Sequence, residues 1–263
     1  MADEAASPAV QVVRDGAIAE IVLNRPDKRN AVDWEMWRAL RDAVAGLGAA
    51  AEIRAVVVRG ADATAFAAGA DLEELARVFS DETSAKAYTR DLQDAQEGLA
   101  RLALPTIALI RGPCIGAGCG IALACDIRWA DRSARFAFPP AKLGLVYGLA
   151  ETKRLVNIVG PSRAKHMLFS AATLDAEEAL SIGLVDRVVE AGDIGAETRA
   201  YAQAIASLSG ASVRVAKRFV HMILDGAGEE SDATRQVFID AFKGADAREG
   251  LAAFREKRKP RFS

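Results

Sequence analysis

The stretch TIALIRGPCIGAGCGIALACD, residues 106–126, decides the fold. Thr106 to Ile110 is a short, almost wholly apolar run, which reads as a strand buried on both faces. Gly112-Pro113 ends it. Small residues then follow at Gly116, Ala117, Gly118 and Gly120, where the chain turns from strand to helix. A second segment repeats the arrangement upstream. Ala55 to Arg59 is β-branched and ends at Gly60, and the small residues Ala67, Ala68, Gly69 and Ala70 precede a helix starting near Asp71.

Working outward, Val10 to Val13 and Ile18 to Leu23 flank a turn at Asp15-Gly16 and read as a hairpin. Asp33 caps a helix with Met36, Leu40, Val44 and Leu47 on one face, and Ser84 to Leu102 is a long helical stretch that Pro105 cuts off. Strand and helix alternate through Ile127–Ala130, Ala134–Phe138 and Leu184–Val189. Asp175 and Glu178 form a capping box, with Gly183 after the helix end. From Ile194 onward the pattern is helical alone, so an α/β core carries a helical C-terminal part.

Composition narrows the function. The chain has 263 residues, enough to bury a core without disulfide or metal staples, and its net charge of −2 predicts no nucleic-acid groove. No uncharged apolar run reaches the roughly 18 residues of a membrane span. The opening MADEAASPAV is neither a secretory signal nor a basic transit peptide, and Cys114, Cys119 and Cys125 match no common zinc spacing and read as buried free thiols. These features predict a cytoplasmic protein with no metal site.

Both small-residue turns let a ligand approach the main chain closely. Free N–H groups in a first helical turn favour developing negative charge, so two such amides converging on one oxygen make an oxyanion hole. Gly116, Gly118 and Gly120 form G-x-G-x-G, not the dinucleotide spacing G-x-G-x-x-G, and there is no phosphate loop. Nor is there a G-x-S-x-G nucleophile.

The ordered series Leu23-Asn24-Arg25-Pro26 with Asn30-Ala31, Phe66-x-x-Gly69-Ala70-Asp71-Leu72, and Gly112-x-x-x-Gly116-Ala117-Gly118 resembles the crotonase (enoyl-CoA hydratase/isomerase) superfamily. It continues through Cys125-Asp126, Phe136 to Gly144, Ser181 to Asp186, and Glu249-Gly250 with Phe254-x-Glu256-Lys257-Arg258. The resemblance implies a ββα-spiral core, residues 1–195, and a helical trimerisation region, residues 196–263, assembling as a trimer or a dimer of trimers. It implies an acyl-CoA substrate, with coenzyme A entering as part of it, and no tightly bound cofactor. The oxyanion donors fall on the amides of Ala70 and Ala117. Ala68, Gly69, Ala70, Asp71 and Leu72 line the pantetheine and adenine, with Lys28 and Arg29 near the nucleotide. Ala31, Pro113, Gly116 and Pro140 complete the substrate contacts, and Phe254 and Lys257 reach a neighbouring subunit's coenzyme A.

The sequence departs from the resemblance at the chemistry. Hydratases of this superfamily carry two acid/base glutamates, and the corresponding positions here are Gly120 and Pro140. Neither residue transfers a proton. Tyr147 resembles the tyrosine of methylmalonyl-CoA decarboxylase-like members, and Glu151 is a second candidate, although an acid also suits a helix start. Asp71, Glu73, Glu74 and Lys142 are weaker substitutes. His166 and His221 lie within helices and read as structural, as does Asp126. The favoured reaction is therefore a lyase or decarboxylase step through a thioester enolate. The alternatives are hydration by other residues and a non-catalytic acyl-CoA carrier.

Overall fold

The computed structural model describes residues 8–262. The acidic start, residues 1–7, and the final serine lie outside them. The chain opens with an antiparallel hairpin of β1 (Val10–Asp15) and β2 (Ile18–Leu23). Helix α1 (Trp34–Gly48) follows, its first turn held by Asp33, which accepts the Met36 N–H. Next come β3 (Ala55–Gly60), α2 (Leu72–Val78), α3 (Glu82–Arg101), β4 (Thr106–Ile110), β5 (Pro113–Ile115) and α4 (Ala117–Ala124). Then β6 (Ile127–Asp131) and β7 (Arg135–Ala137) lead to α5 (Leu149–Val159) and α6 (Pro161–Ser170). Strand β8 (Thr173–Asp175), helix α7 (Ala176–Ser181) and strand β9 (Arg187–Val189) precede four C-terminal helices. These are α8 (Ile194–Ala206), α9 (Gly210–Leu224), α10 (Asp232–Lys243) and α11 (Ala245–Glu256).

The main sheet runs β1-β2-β3-β4-β6-β9 and is parallel after the hairpin. Its central strands bury both faces, which is why they read as unbroken apolar runs. Val56, Val58, Ala108 and Ile110 pack in the large core with Trp37 and Leu40 of α1, Leu99 of α3 and Ile121 of α4. Their neighbours Ala55, Val57, Ile107 and Leu109 point the other way, onto Ile194 and Ala202 of α8.

Three boundaries differ from the sequence reading. The long helix begins at Glu82, because Asp81 caps it through the Ser84 N–H. Of the expected strand 184–189 only 187–189 is extended, since the Leu184 N–H closes back on the Ala179 carbonyl after the helix. All three strands of the small sheet β5-β7-β8 are three residues long; β7 is the extended part of the expected run 134–138, and β5 and β8 have too little sequence to show a period. The three cysteines are buried and free, and Asp126 is a structural bracket. Its carboxylate accepts from the Thr106 N–H at 2.8 Å and from Lys217 Nζ at 2.7 Å.

One tight crossing lies where α4 meets the loop after β3. A Cβ at Gly118 would stand 2.4 Å from the Ala67 carbonyl oxygen and 2.9 Å from the Ala67 Cβ. Gly46, inside α1, has open space beyond it. Gly46→Ala is expected to stabilise the protein by about 0.5–1 kcal/mol through reduced chain entropy. Gly118→Ala is expected to destabilise it by about 1–3 kcal/mol, because main chain must move. Urea denaturation of the two variants measures both.

Candidate active site

The segment Phe66–Asp71 is held on both edges. On one side the Phe66 and Ala67 N–H groups donate to the Pro113 carbonyl, each at 3.1 Å, and the Ile115 N–H donates to the Ala67 carbonyl at 2.9 Å. On the other, the Ala68 N–H donates to the Arg29 carbonyl at 3.0 Å. Val32 then bridges Ala70 in parallel fashion, donating to the Gly69 carbonyl at 2.8 Å and accepting from the Asp71 N–H at 2.9 Å. A parallel bridge of this kind uses the groups flanking Ala70 and turns Ala70's own N–H to the opposite edge, where β5 runs into α4.

The second amide comes from that edge. Gly116, at φ +52°, is the cap of α4, and its N–H is taken by the Ala137 carbonyl at 3.0 Å. Ala117 is therefore the first helical residue, where an N–H has no intrahelical partner. Among the described residues neither the Ala70 nor the Ala117 N–H donates to any acceptor. The two loops touch, since a Cβ built on Gly116 would lie 3.7 Å from the Gly69 Cα. Ala68, Ala70, Gly116 and Ala117 are all half-buried, so the crevice is open to a ligand.

The motif around Arg25 is the staple for the first loop. Asn30, fully buried, accepts the Arg25 N–H and donates from Nδ2 to the Ala65 carbonyl at 2.9 Å and the Phe66 carbonyl at 3.2 Å. The Arg25 guanidinium holds the Ala31 carbonyl at 2.7 Å, Asp33 at 3.0 Å and Asp71 at 3.1 Å. Burial acts to raise the Asp71 carboxyl, but the Glu74 N–H and Arg25 outweigh it, and Asp71 stays below the ordinary carboxylate range. Asp71 is thus an ionised cap. Glu74 is also occupied, by the Trp34 N–H at 2.6 Å, and Glu73 is solvated beside Lys28 Nζ at 3.8 Å. Arg29 and Val32 thus pair with Ala68–Asp71, and Lys28 and Ala31 lie on the same stretch of chain.

Tyr147 approaches from the segment before α5. Its ring packs against Phe138 at 5.6 Å, and its hydroxyl is 3.8 Å from where a Gly116 Cβ would be. That hydroxyl is buried and, among the described residues, has no hydrogen-bond partner. Burial, reinforced by Cys119, Glu151 and Cys114, pushes its pKa well above the ordinary tyrosine value, so it is a neutral donor at physiological pH. Glu151, in the first turn of α5, accepts the Gly148 N–H at 3.0 Å and Gln96 Nε2 at 3.0 Å. Pro113 sits in β5 against the first loop, and Pro140 opens a short 3-10 turn ending at Leu143.

Other candidates are not gathered here. Phe254, 83% exposed, lies on α11, and Lys257 caps that helix in a left-handed conformation. No hydrogen bond or ion pair among the described residues joins either to the two loops. Lys142 and His166 are exposed, and His221 is on α9. The residue that sequence reading passed over is Gln96. Its signal was available: it follows Tyr88 and Leu92 at steps of four, a polar side chain on the apolar stripe of α3, and it is 2% exposed.

A parallel sheet whose central strands β3 and β4 lead into two touching loops with unpartnered amides fits a crotonase-like protein, and the comparisons agree. The chain belongs to the enoyl-CoA hydratase/isomerase family, whose sequence profile matches residues 14–263. A Mycobacterium bovis protein named "Probable enoyl-CoA hydratase" is 37% identical over 255 residues, covering 97% of each chain. The short-chain-enoyl-CoA hydratase of Clostridium acetobutylicum is 32% identical over 257 residues, 94% of each chain. The solved structure of an enoyl-CoA hydratase/carnithine racemase from Magnetospirillum magneticum superposes with a TM-score of 0.94 at 38% identity, covering 98% of this chain and 96% of that one. The family is one of enzymes acting on acyl-CoA. No helix of the described residues is long and apolar enough to cross a membrane.

The unpartnered hydroxyl yields a stability test. Tyr147→Phe removes no hydrogen bond, so the unfolding free energy is expected to hold or to rise by about 1 kcal/mol. A clear loss in chemical denaturation would reveal a partner for the hydroxyl.

Proposed function

We propose that this chain binds an acyl-CoA thioester across the Lys28–Ala31 and Ala68–Leu72 strip and stabilises its enolate oxygen with the Ala70 and Ala117 amides. The observation that carries the reading is the pair of adjacent loops whose two main-chain donors have no acceptor among the described residues. Fixed donors in a half-buried crevice do not reorganise as charge develops, and each is typically worth about 3–4 kcal/mol of barrier.

The reaction we favour is of lyase type, loss of a carboxylate from a malonyl-type thioester. The bond from the α-carbon to the carboxylate breaks, its electron pair delocalises onto the thioester oxygen, and carbon dioxide leaves. No base is needed for that step, which is compatible with Gly120 and Pro140 standing at the two hydratase positions. The neutral Tyr147 hydroxyl is available to orient the departing carboxylate. The names of the relatives favour a second reading, hydration of an enoyl-CoA, with other groups handling the protons. The C-terminal helices, residues 196–263, fit the role of assembling trimers, singly or in pairs, with Phe254 and Lys257 facing a neighbour's coenzyme A.

Steady-state assays with methylmalonyl-CoA and crotonyl-CoA separate the two reactions. The expected result is carbon dioxide release from the first and negligible hydration of the second; rapid hydration of crotonyl-CoA reverses the choice. Ala117→Pro removes one donor at a first helical position that accepts proline. It is expected to lower kcat/KM by about 10²-fold or more, since the donor is lost and the ring Cδ stands where the thioester oxygen would dock. Thioester binding with no turnover of any kind would leave a carrier.

A further inference from the structure

Gly120 lies one helical turn after Ala117 on α4, about 4.5 Å along the axis and on the same face as the Ala117 amide. It is buried, and the space in front of it is filled. A Cβ built there would stand 2.7 Å from Glu151 Oε1 and 2.5 Å from Gln96 Nε2. Two groups spaced four apart, the Tyr147 hydroxyl and the Glu151 carboxylate, thus face two glycines spaced four apart, Gly116 and Gly120. The carboxylate that α4 lacks is replaced in space by one that arrives from α5.

Its position is over-determined. Glu151 Oε2 takes the Gly148 N–H and Oε1 takes Gln96 Nε2, each at 3.0 Å. Gln96 is oriented in turn by Arg154, whose Nη1 lies 3.5 Å from Gln96 Oε1. A guanidinium is donor only, so it selects the amide orientation that presents Nε2 to Glu151. A helix cap alone would need the Gly148 bond; it would need neither a buried glutamine nor the gap at position 120.

We propose that Glu151 is the carboxylate that moves a proton to and from the acyl α-carbon, that Gln96 positions it, and that Gly120 is the gap that admits it. This rests on the enolate reading above and names the group that completes it. After the carboxylate leaves, the enolate α-carbon takes a proton from the Glu151 carboxyl, which regains one from water. With a saturated thioester the same group, ionised, removes an α-proton and returns one from solvent.

Deuterium incorporation at the α-carbon of butyryl-CoA, followed by NMR in D2O, tests this apart from decarboxylation. Wild-type protein is expected to exchange. Glu151→Gln, whose oxygen still accepts the Gly148 N–H while its NH2 meets Gln96 Nε2, is expected to slow exchange by about 10²-fold or more, with butyryl-CoA binding retained and only a modest fall in melting temperature. Gly120→Ala, which displaces only two side-chain ends, is expected to slow exchange with little change in binding. Adding Gly120→Glu to Glu151→Ala is expected to restore part of the loss. Exchange by Glu151→Gln at the wild-type rate overturns the proposal, as does wild-type protein that binds butyryl-CoA without exchanging it. Failure to bind any thioester instead sinks the enolate reading itself.

Discussion

Two pieces of main chain cross at near-contact distance where the first turn of α4 passes the Ala67 carbonyl. Only a residue without a Cβ fits at Gly118, and the rest of the site is built outward from that crossing. It sets the height of the Ala117 amide against the segment carrying Ala70. That segment is in turn clamped by Pro113–Ile115 on one edge and Arg29–Val32 on the other. With both edges occupied, the donors left over are defined by elimination. The strip cannot turn its free N–H elsewhere without breaking the bridge to Val32.

The charged groups around the crevice are nearly all committed. Asp71 and Asp33 share Arg25, and Glu74 holds the Trp34 N–H. Among the described residues, the donors left uncommitted where the two loops meet are two amides and a phenolic hydroxyl. Such groups would suit the proposed enolate, a charge that appears only during reaction, because a permanent counter-charge would bind ground state and enolate alike. They also tie the fold directly to the chemistry, since main-chain donors are placed by sheet register rather than by side-chain rotamers.

Much of the scaffold was legible along the chain, for identifiable reasons. The runs at 55–59 and 106–110 announced strands buried on both faces, and Asp33, Asp71 and Asp175 marked helix starts that the structure confirms as caps. Local signals of this kind survive because they involve residues three or four apart. The short strands β5 and β8 were not legible, having no period to detect, and neither was the turn at 184–186, where a chain reversal depends on contacts with Ala179.

At the site the division is the same. The sequence by itself determined the two small-residue turns, through residue identity and spacing, and its ordered motifs carried the resemblance that named the family and made Tyr147 and Glu151 candidates. Only the tertiary structure decided that Asp71 and Glu74 are engaged elsewhere, that the Tyr147 hydroxyl is buried without a partner, and that Gln96 and Glu151 fill the space before Gly120. Those facts depend on which groups from the Arg25 loop, α1, α3, α4 and α5 meet across gaps of about 20 to 60 residues. No local pattern encodes such a meeting; packing of the helices on the sheet does.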